Sequence, residues 1–170
     1  ATLYEVFTKK CDIHYAIHEY SKNLYFIPAS THFRKITFSD FEKDLKKIVA
    51  EIKQHYDIIF FDLAPSMYPG SNMPLFFSDY VVIPVNCPQG LSLLGLQTQA
   101  EIIVEVRQEK NSALDVLGII PAFIDRTRMS TDVLRYLQQH YGDDLLPAIR
   151  KNTAISQASS IGQTIFEHAP

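Results

Sequence analysis

Glycine is scarce in this chain, with six residues in 170, and none of the six belongs to a Gly-x-x-x-x-Gly-Lys-Ser/Thr run. The sequence therefore lacks the loop whose backbone amides cradle nucleotide phosphates and whose lysine neutralises them. Cysteine is scarcer still. Cys11 and Cys87 stand far apart and outside any C-x-x-C pattern, which excludes a disulfide framework and a cysteine zinc site and points to a reducing cytoplasm. No apolar run approaches the roughly eighteen residues of a membrane span. Positive charge is not in excess either: the formal net charge is -3, so overall charge does not draw the chain to nucleic acid, and only a local patch would. Ala1 to Phe7 has neither the charged nor the apolar region of a secretory signal. An initial Ala in place of Met is expected where further sequence precedes it.

What remains is ordinary globular material, 46% apolar and 21% charged, enough for one domain that buries about two thirds of its unfolded surface. Its most informative stretch is Tyr56 to Ser66. Ile58-Ile59-Phe60-Phe61 is a β-branched and aromatic run that predicts a strand buried on both faces, as in a parallel sheet covered by helices. The run ends on Asp62, at the rim where open α/β sheets bind ligands, and Pro65 then takes the chain out of the ladder. The plainer reading of Asp62 is a carboxylate that caps the turn after a core strand.

Ahead of this stretch, short helices are predicted at Leu3 to Phe7 and Asp12 to Tyr20, followed by a short strand at Leu24 to Pro28. His14 and His18 stand at i and i+4, the spacing of a metal-binding pair, but no Glu follows His14 and no third ligand is near in sequence, so they read as ordinary surface histidines. Ser39 and Glu42 form an S-x-x-E capping box worth about 1 kcal/mol. It opens a helix with Phe41, Leu45, Ile48, Val49, Ile52 and Tyr56 on one face, and Lys46, Lys47 and Lys53 on the solvated one.

Beyond Ser66 a Pro- and Gly-punctuated loop leads to a second buried strand at Tyr80 to Val85. A helix follows from about Leu91 to Glu109, packed through Leu96, Ala100, Ile103 and Val104. Val116 to Ile124 is a third strand. Ser130 is expected to cap a helix bearing Val133, Leu134, Leu137 and Tyr141 and closed by Gly142, and Thr164 to Phe166 a last short strand. Alternating helices and strands predict an α/β fold with a doubly wound, mainly parallel sheet flanked by helices, in one domain spanning residues 1–170.

Four segments in this order carry a resemblance: Asp57 to Ser66; Val82-Ile83-Pro84-Val85 with Gly95-Leu96; Arg126-Thr127-Arg128-Met129-Ser130; and Ile149-Arg150-Lys151-Asn152 with Gln157-Ala158 and Gly162. Together they resemble the ParA/MinD family of deviant P-loop ATPases, the ParA partition branch above all, over essentially the whole chain. The resemblance implies a P-loop NTPase-like fold that here lacks its first strand and phosphate loop, so that these residues are the larger, later part of the ATPase domain. It implies that Asp62 is the Walker B carboxylate holding a water of Mg2+, that Pro65 and Ser66 begin a switch segment, that Asp125, Arg150, Lys151 and Asn152 approach the adenine of ATP, and that Arg126 contacts DNA. Ala64 and Arg150 stand where the family commonly has proline, and Ala154 where it has a second DNA-contacting arginine.

Function follows as an expectation from the same resemblance: a cytoplasmic, nucleoid-associated bacterial partition ATPase, acting as an ATP-dependent homodimer with a ParB-like centromere-binding partner and nonspecific DNA. Because phosphoryl transfer depends on positioned charge, this polypeptide alone, without the phosphate loop, is expected to be inactive and to bind ATP and Mg2+ only with that missing segment. Two alternatives remain at this stage, a nonenzymatic interaction module built on the same fold, and a MinD-like positioning ATPase with an amphipathic helix beyond Pro170.

Overall fold

The computed structural model describes residues 1–30, 32, 38–63 and 72–169, with backbone alone for 38–40. Ser39, Pro65 and Ser66 thus lie outside the described side chains. By backbone contacts the chain divides into two compact units, Ala1–Phe77 and Ser78–Pro170.

In the first unit, helix α1 (Leu3–Phe7) and a 3-10 turn (Ile13–Tyr15) precede strands β1 (His18–Ser21) and β2 (Leu24–Phe26), followed by helix α2 (Phe38–Ile52). The 3.6-residue spacing of α2 does what the sequence predicts: Leu45, Ile48, Val49 and Ile52 are buried with Val6, Phe7, Ile13 and Ala16, while Lys46, Lys47 and Lys53 are exposed. Phe41 stacks on Phe7 with ring centroids 4.5 Å apart. Lys9 pairs with Asp44 at 2.6 Å and His14 with Glu51 at 3.1 Å, so the segment after α1 is tied to α2 at two points along its length.

The helix predicted over Asp12 to Tyr20 is corrected. Its first part is the 3-10 turn, capped by the Asp12 side chain accepting the His14 N–H, and its last part is β1, paired antiparallel with β2. Asn23, at φ 66°, makes the reversal between the strands, a conformation asparagine tolerates better than most residues.

The expected strand over Asp57 to Asp62 is also corrected. Among the described residues no ladder is formed there. Its side chains alternate with the period of an extended chain: Ile59 and Phe61 pack on the α2 core, whereas Ile58 and Phe60 are 72% and 88% exposed. In this run cover is available to one face, not to both.

The second unit is built on β3 (Tyr80–Asn86) and β4 (Asp115–Ala122), joined by α3 (Ser92–Glu109). The two strands pair in parallel from Tyr80 opposite Asp115 to Asn86 opposite Ala122, with an irregularity after Val81. Leu96, Ile103 and Val106 are the buried residues of α3; the expected Ala100 and Val104 face solvent instead. A helix with apolar residues on two sides needs tertiary contacts to decide which side is buried. Helix α4 (Arg128–Tyr141) buries Val133 and Leu137, and full burial of a leucine such as Leu137 contributes about 1.5–3 kcal/mol.

Its cap is Thr127, whose hydroxyl accepts the Ser130 N–H at 3.2 Å, while the expected cap, Ser130, sits one turn inside and fully buried. Gly142 does end α4, but at φ -51°, leading on into a 3-10 turn, Gly142–Asp144. Helices α5 (Thr153–Ser160) and α6 (Ile165–His168) complete the unit. The strand expected at Thr164 to Phe166 is replaced by α6: Thr164 and Glu167 form a T-x-x-E box in which each accepts the other's backbone N–H, and this outweighs the β-propensity of Ile165 and Phe166.

Cys11 and Cys87 are free thiols, and burial pushes the Cys87 thiol upward in pKa. Among the described residues no helix is long and apolar enough to cross a membrane.

Candidate functional site

The sequence-predicted site residues fall in both units. In the first unit, Asp62 is exposed and follows the segment that α2 holds down through Ile59 and Phe61. Alternation puts Asp62 on the same side as Ile58 and Phe60, turned away from that core. Its carboxylate is therefore open to water and to ions. The plainer reading of Asp62, a cap on the following turn, concerns residues outside the described set.

In the second unit, the carboxyl end of β4 turns through Phe123, at φ 57°, into Ile124 and Asp125. The chain after α4 returns beside this strand. Leu146 N–H donates to the Ile119 carbonyl at 2.9 Å, Ile149 N–H to Pro121 at 2.8 Å, and Lys151 N–H to Ile124 at 2.9 Å, with parallel bridges at Leu145 and Arg150. The sequence reading missed this third run, for which the apolar Leu145-Leu146 pair before Pro147 is the available signal.

Gly118 makes the close approach feasible: a Cβ there would lie 2.7 Å from Leu146 Cγ and 2.8 Å from the Asp144 carbonyl oxygen, at a φ of +154° that side-chain-bearing residues rarely adopt. Three of the four expected base-contacting residues, Arg150, Lys151 and Asn152, are thereby brought alongside the fourth, Asp125.

Their partners limit what each side chain does. Asp125 Oδ1 accepts from the Thr127 hydroxyl at 2.6 Å and from its N–H at 3.0 Å. These hydrogen bonds, side chain first, hold its carboxyl below the ordinary range, and the Lys151 charge adds to the effect. Asp125 is thus an ionised turn-former with its Oδ1 engaged. Asn152 caps α5 by accepting the Ala154 N–H at 2.9 Å. Arg150 and Lys151 are exposed, two cations at the strand ends where α/β sheets take ligands. Thr127, which the sequence reading did not single out, positions both Asp125 and the start of α4.

Arg126 is exposed on the loop before α4. Nearby, Arg128 lies 3.7 Å and Arg135 3.0 Å from Asp132, so two of the cations that follow Arg126 share one carboxylate. Such exposed pairs are worth about 0–1 kcal/mol, and the surface is of mixed charge.

A family model described as an AAA domain matches residues 1–116. The chain is 32% identical over 153 residues to the chromosome-partitioning ATPase Soj of Treponema pallidum, covering 86% of this chain and 60% of that protein. In fold it is similar to a putative plasmid partition protein of Borrelia burgdorferi bound to AMPPNP, with TM-score 0.80, 20% identity, and coverage of 98% of this chain and 70% of that one. It is also similar to cobyrinic acid a,c-diamide synthase of Mycobacterium smegmatis bound to an ATP analogue and magnesium, with TM-score 0.75, 22% identity, and coverage of 96% and 75%. The second likeness shows that one fold hosts different chemistries. The α/β architecture is that of P-loop NTPases, and with the family model matched over residues 1–116 the chain belongs to the AAA-domain family of ParA/MinD type.

Proposed function

We propose that this chain is the later part of a ParA-type partition ATPase domain, whose phosphate loop lies in sequence outside these 170 residues. The observation that carries the reading is the 32% identity to a chromosome-partitioning ATPase over 153 residues. In support, the return of Arg150 to Asn152 beside Asp125 assembles the residues expected at the base of ATP.

The residues present suit part of an ATP–Mg2+ complex. Mg2+ keeps several waters and takes one or two carboxylates, and the exposed Asp62 fits a contact through such a water. When bound, the cation neutralises charge on the terminal phosphates. Arg150 and Lys151 offer charge toward the nucleotide, and the engaged Asp125 fixes the loop that faces it. Pro65 and Ser66 keep their proposed switch role. In this reading ATP drives homodimerisation, the dimer holds nonspecific DNA partly through Arg126, and a ParB-like protein triggers release, in the nucleoid of a bacterial cytoplasm.

The test is sedimentation of the protein expressed from its whole native reading frame. ATP with Mg2+ is expected to shift it from monomer to dimer and to make it co-sediment with nonspecific DNA, and Arg126→Ala is expected to weaken only the DNA step. No change of mass and no DNA retention with ATP would overturn the proposal.

A further inference from the structure

The histidine pair weighed in the sequence does not face one way. His18 Nε2 lies 3.0 Å from the Ala1 carbonyl oxygen and its ring stacks on Phe26. His14 turns instead toward Glu51, which sequence distance conceals, and toward its near neighbour Asp12. Its Nε2 lies 3.1 Å from Glu51 Oε1 and 3.9 Å from Asp12 Oδ1, and one ligand atom from each of the three residues falls within 4.8 Å of the others.

Zinc bonds of about 2.0–2.2 Å in a tetrahedron require donors about 3.3–3.6 Å apart. The two measured separations bracket that edge, so small rotations of exposed side chains would close the site. Asp12 is already fixed, because its Oδ1 accepts the His14 N–H at 2.9 Å. Glu51 projects from the last turn of α2, and His55 follows it by four residues with its ring centroid 6.4 Å from that of His14, edge-on at 69°. A second imidazole therefore lies near that of His14, outside the three-residue cluster and one side-chain rotation from joining it.

We propose that Asp12, His14 and Glu51, with His55 as fourth donor, bind a transition-series divalent cation such as zinc or cobalt. Imidazole nitrogen mixed with carboxylate oxygen suits these ions, whereas Mg2+ and Ca2+ prefer oxygen alone. The site lies wholly within the first unit and does not depend on the nucleotide reading. Bound metal would clamp the 3-10 turn onto the carboxyl end of α2, just before the chain runs on toward Asp62.

The test is titration of the untagged full chain, stripped of metal, with Co2+ followed by visible absorption, then displacement by Zn2+. One equivalent is expected to give the d–d bands of a low-coordinate cobalt site. His14→Ala and Glu51→Gln, each confirmed folded by circular dichroism, are expected to weaken binding at least about tenfold, and His18→Ala to leave it unchanged. No saturable uptake, or equal affinity in wild type, His14→Ala and Glu51→Gln, would overturn the proposal.

Discussion

Two apolar runs that the sequence presents alike, residues 57–62 and 80–86, end differently. Tyr80–Asn86 is a strand in parallel register with β4, and its Val85 is 2% exposed. The earlier run forms no ladder among the described residues and leaves Phe60 88% exposed. Composition and length are similar, so the difference lies in what each run is packed against. β3 has β4 at its edge and α3 packed on it, whereas Ile59 and Phe61 meet the α2 core through one face only. A strand is a property of the pair, and a continuous apolar run records only a demand for cover.

The sharpest way to break this comparison is one substitution made in each run. Val85→Asp places an unpaired charge in a buried position and is expected to cost about 3–5 kcal/mol in urea denaturation. Phe60→Asp is expected to change stability by no more than about 0.5 kcal/mol. Equal losses would show that Phe60 is covered in the folded protein and that the two runs are alike after all.

Next in size, Gly118→Ala is expected to cost about 1–3 kcal/mol, since its Cβ meets the Asp144 carbonyl and Leu146, and to increase amide exchange at Leu146, Ile149 and Lys151. Loss of stability with unchanged exchange there would separate β4 from the returning run. Thr127→Ala removes the α4 cap and is expected to cost about 1 kcal/mol, read in the same denaturation.

The smallest effect is a pH slope. The Asp125 carboxyl is lowered by its hydrogen bonds to Thr127, so its folded value lies below its unfolded one. Its contribution is present above the ordinary carboxylate range and is lost as pH falls through the lowered value. Asp125→Asn is expected to flatten that part of the melting-temperature profile, and an identical acid slope in both proteins would contradict the assignment.

Particular residues show how much was legible beforehand. α2, β3, α3, β4 and α4 were readable because long periodic segments carry their own signal, as the burial of Leu45, Ile48, Val49 and Ile52 bears out. The family and fold were legible from four ordered motifs. Local hydrogen bonds decided the misses: Thr127 rather than Ser130 caps α4, and the box between Thr164 and Glu167 makes a helix of an apparent strand. Other misses were long-range. Nothing in the neighbourhood of His14 points to Glu51, and Leu145 to Lys151 finds its place only beside a β4 that Gly118 leaves open. Asp62 was named from its position after an apolar run, and the structure leaves its side chain exposed.

The central claim is tested most directly by equilibrium binding of a fluorescent ATP analogue to the protein from its whole native reading frame, across a range of Mg2+ concentrations. Wild type and Asp57→Ala are expected to bind more tightly as Mg2+ rises, and Asp62→Ala to lose that dependence while still binding nucleotide. An unchanged magnesium dependence in Asp62→Ala would contradict the account.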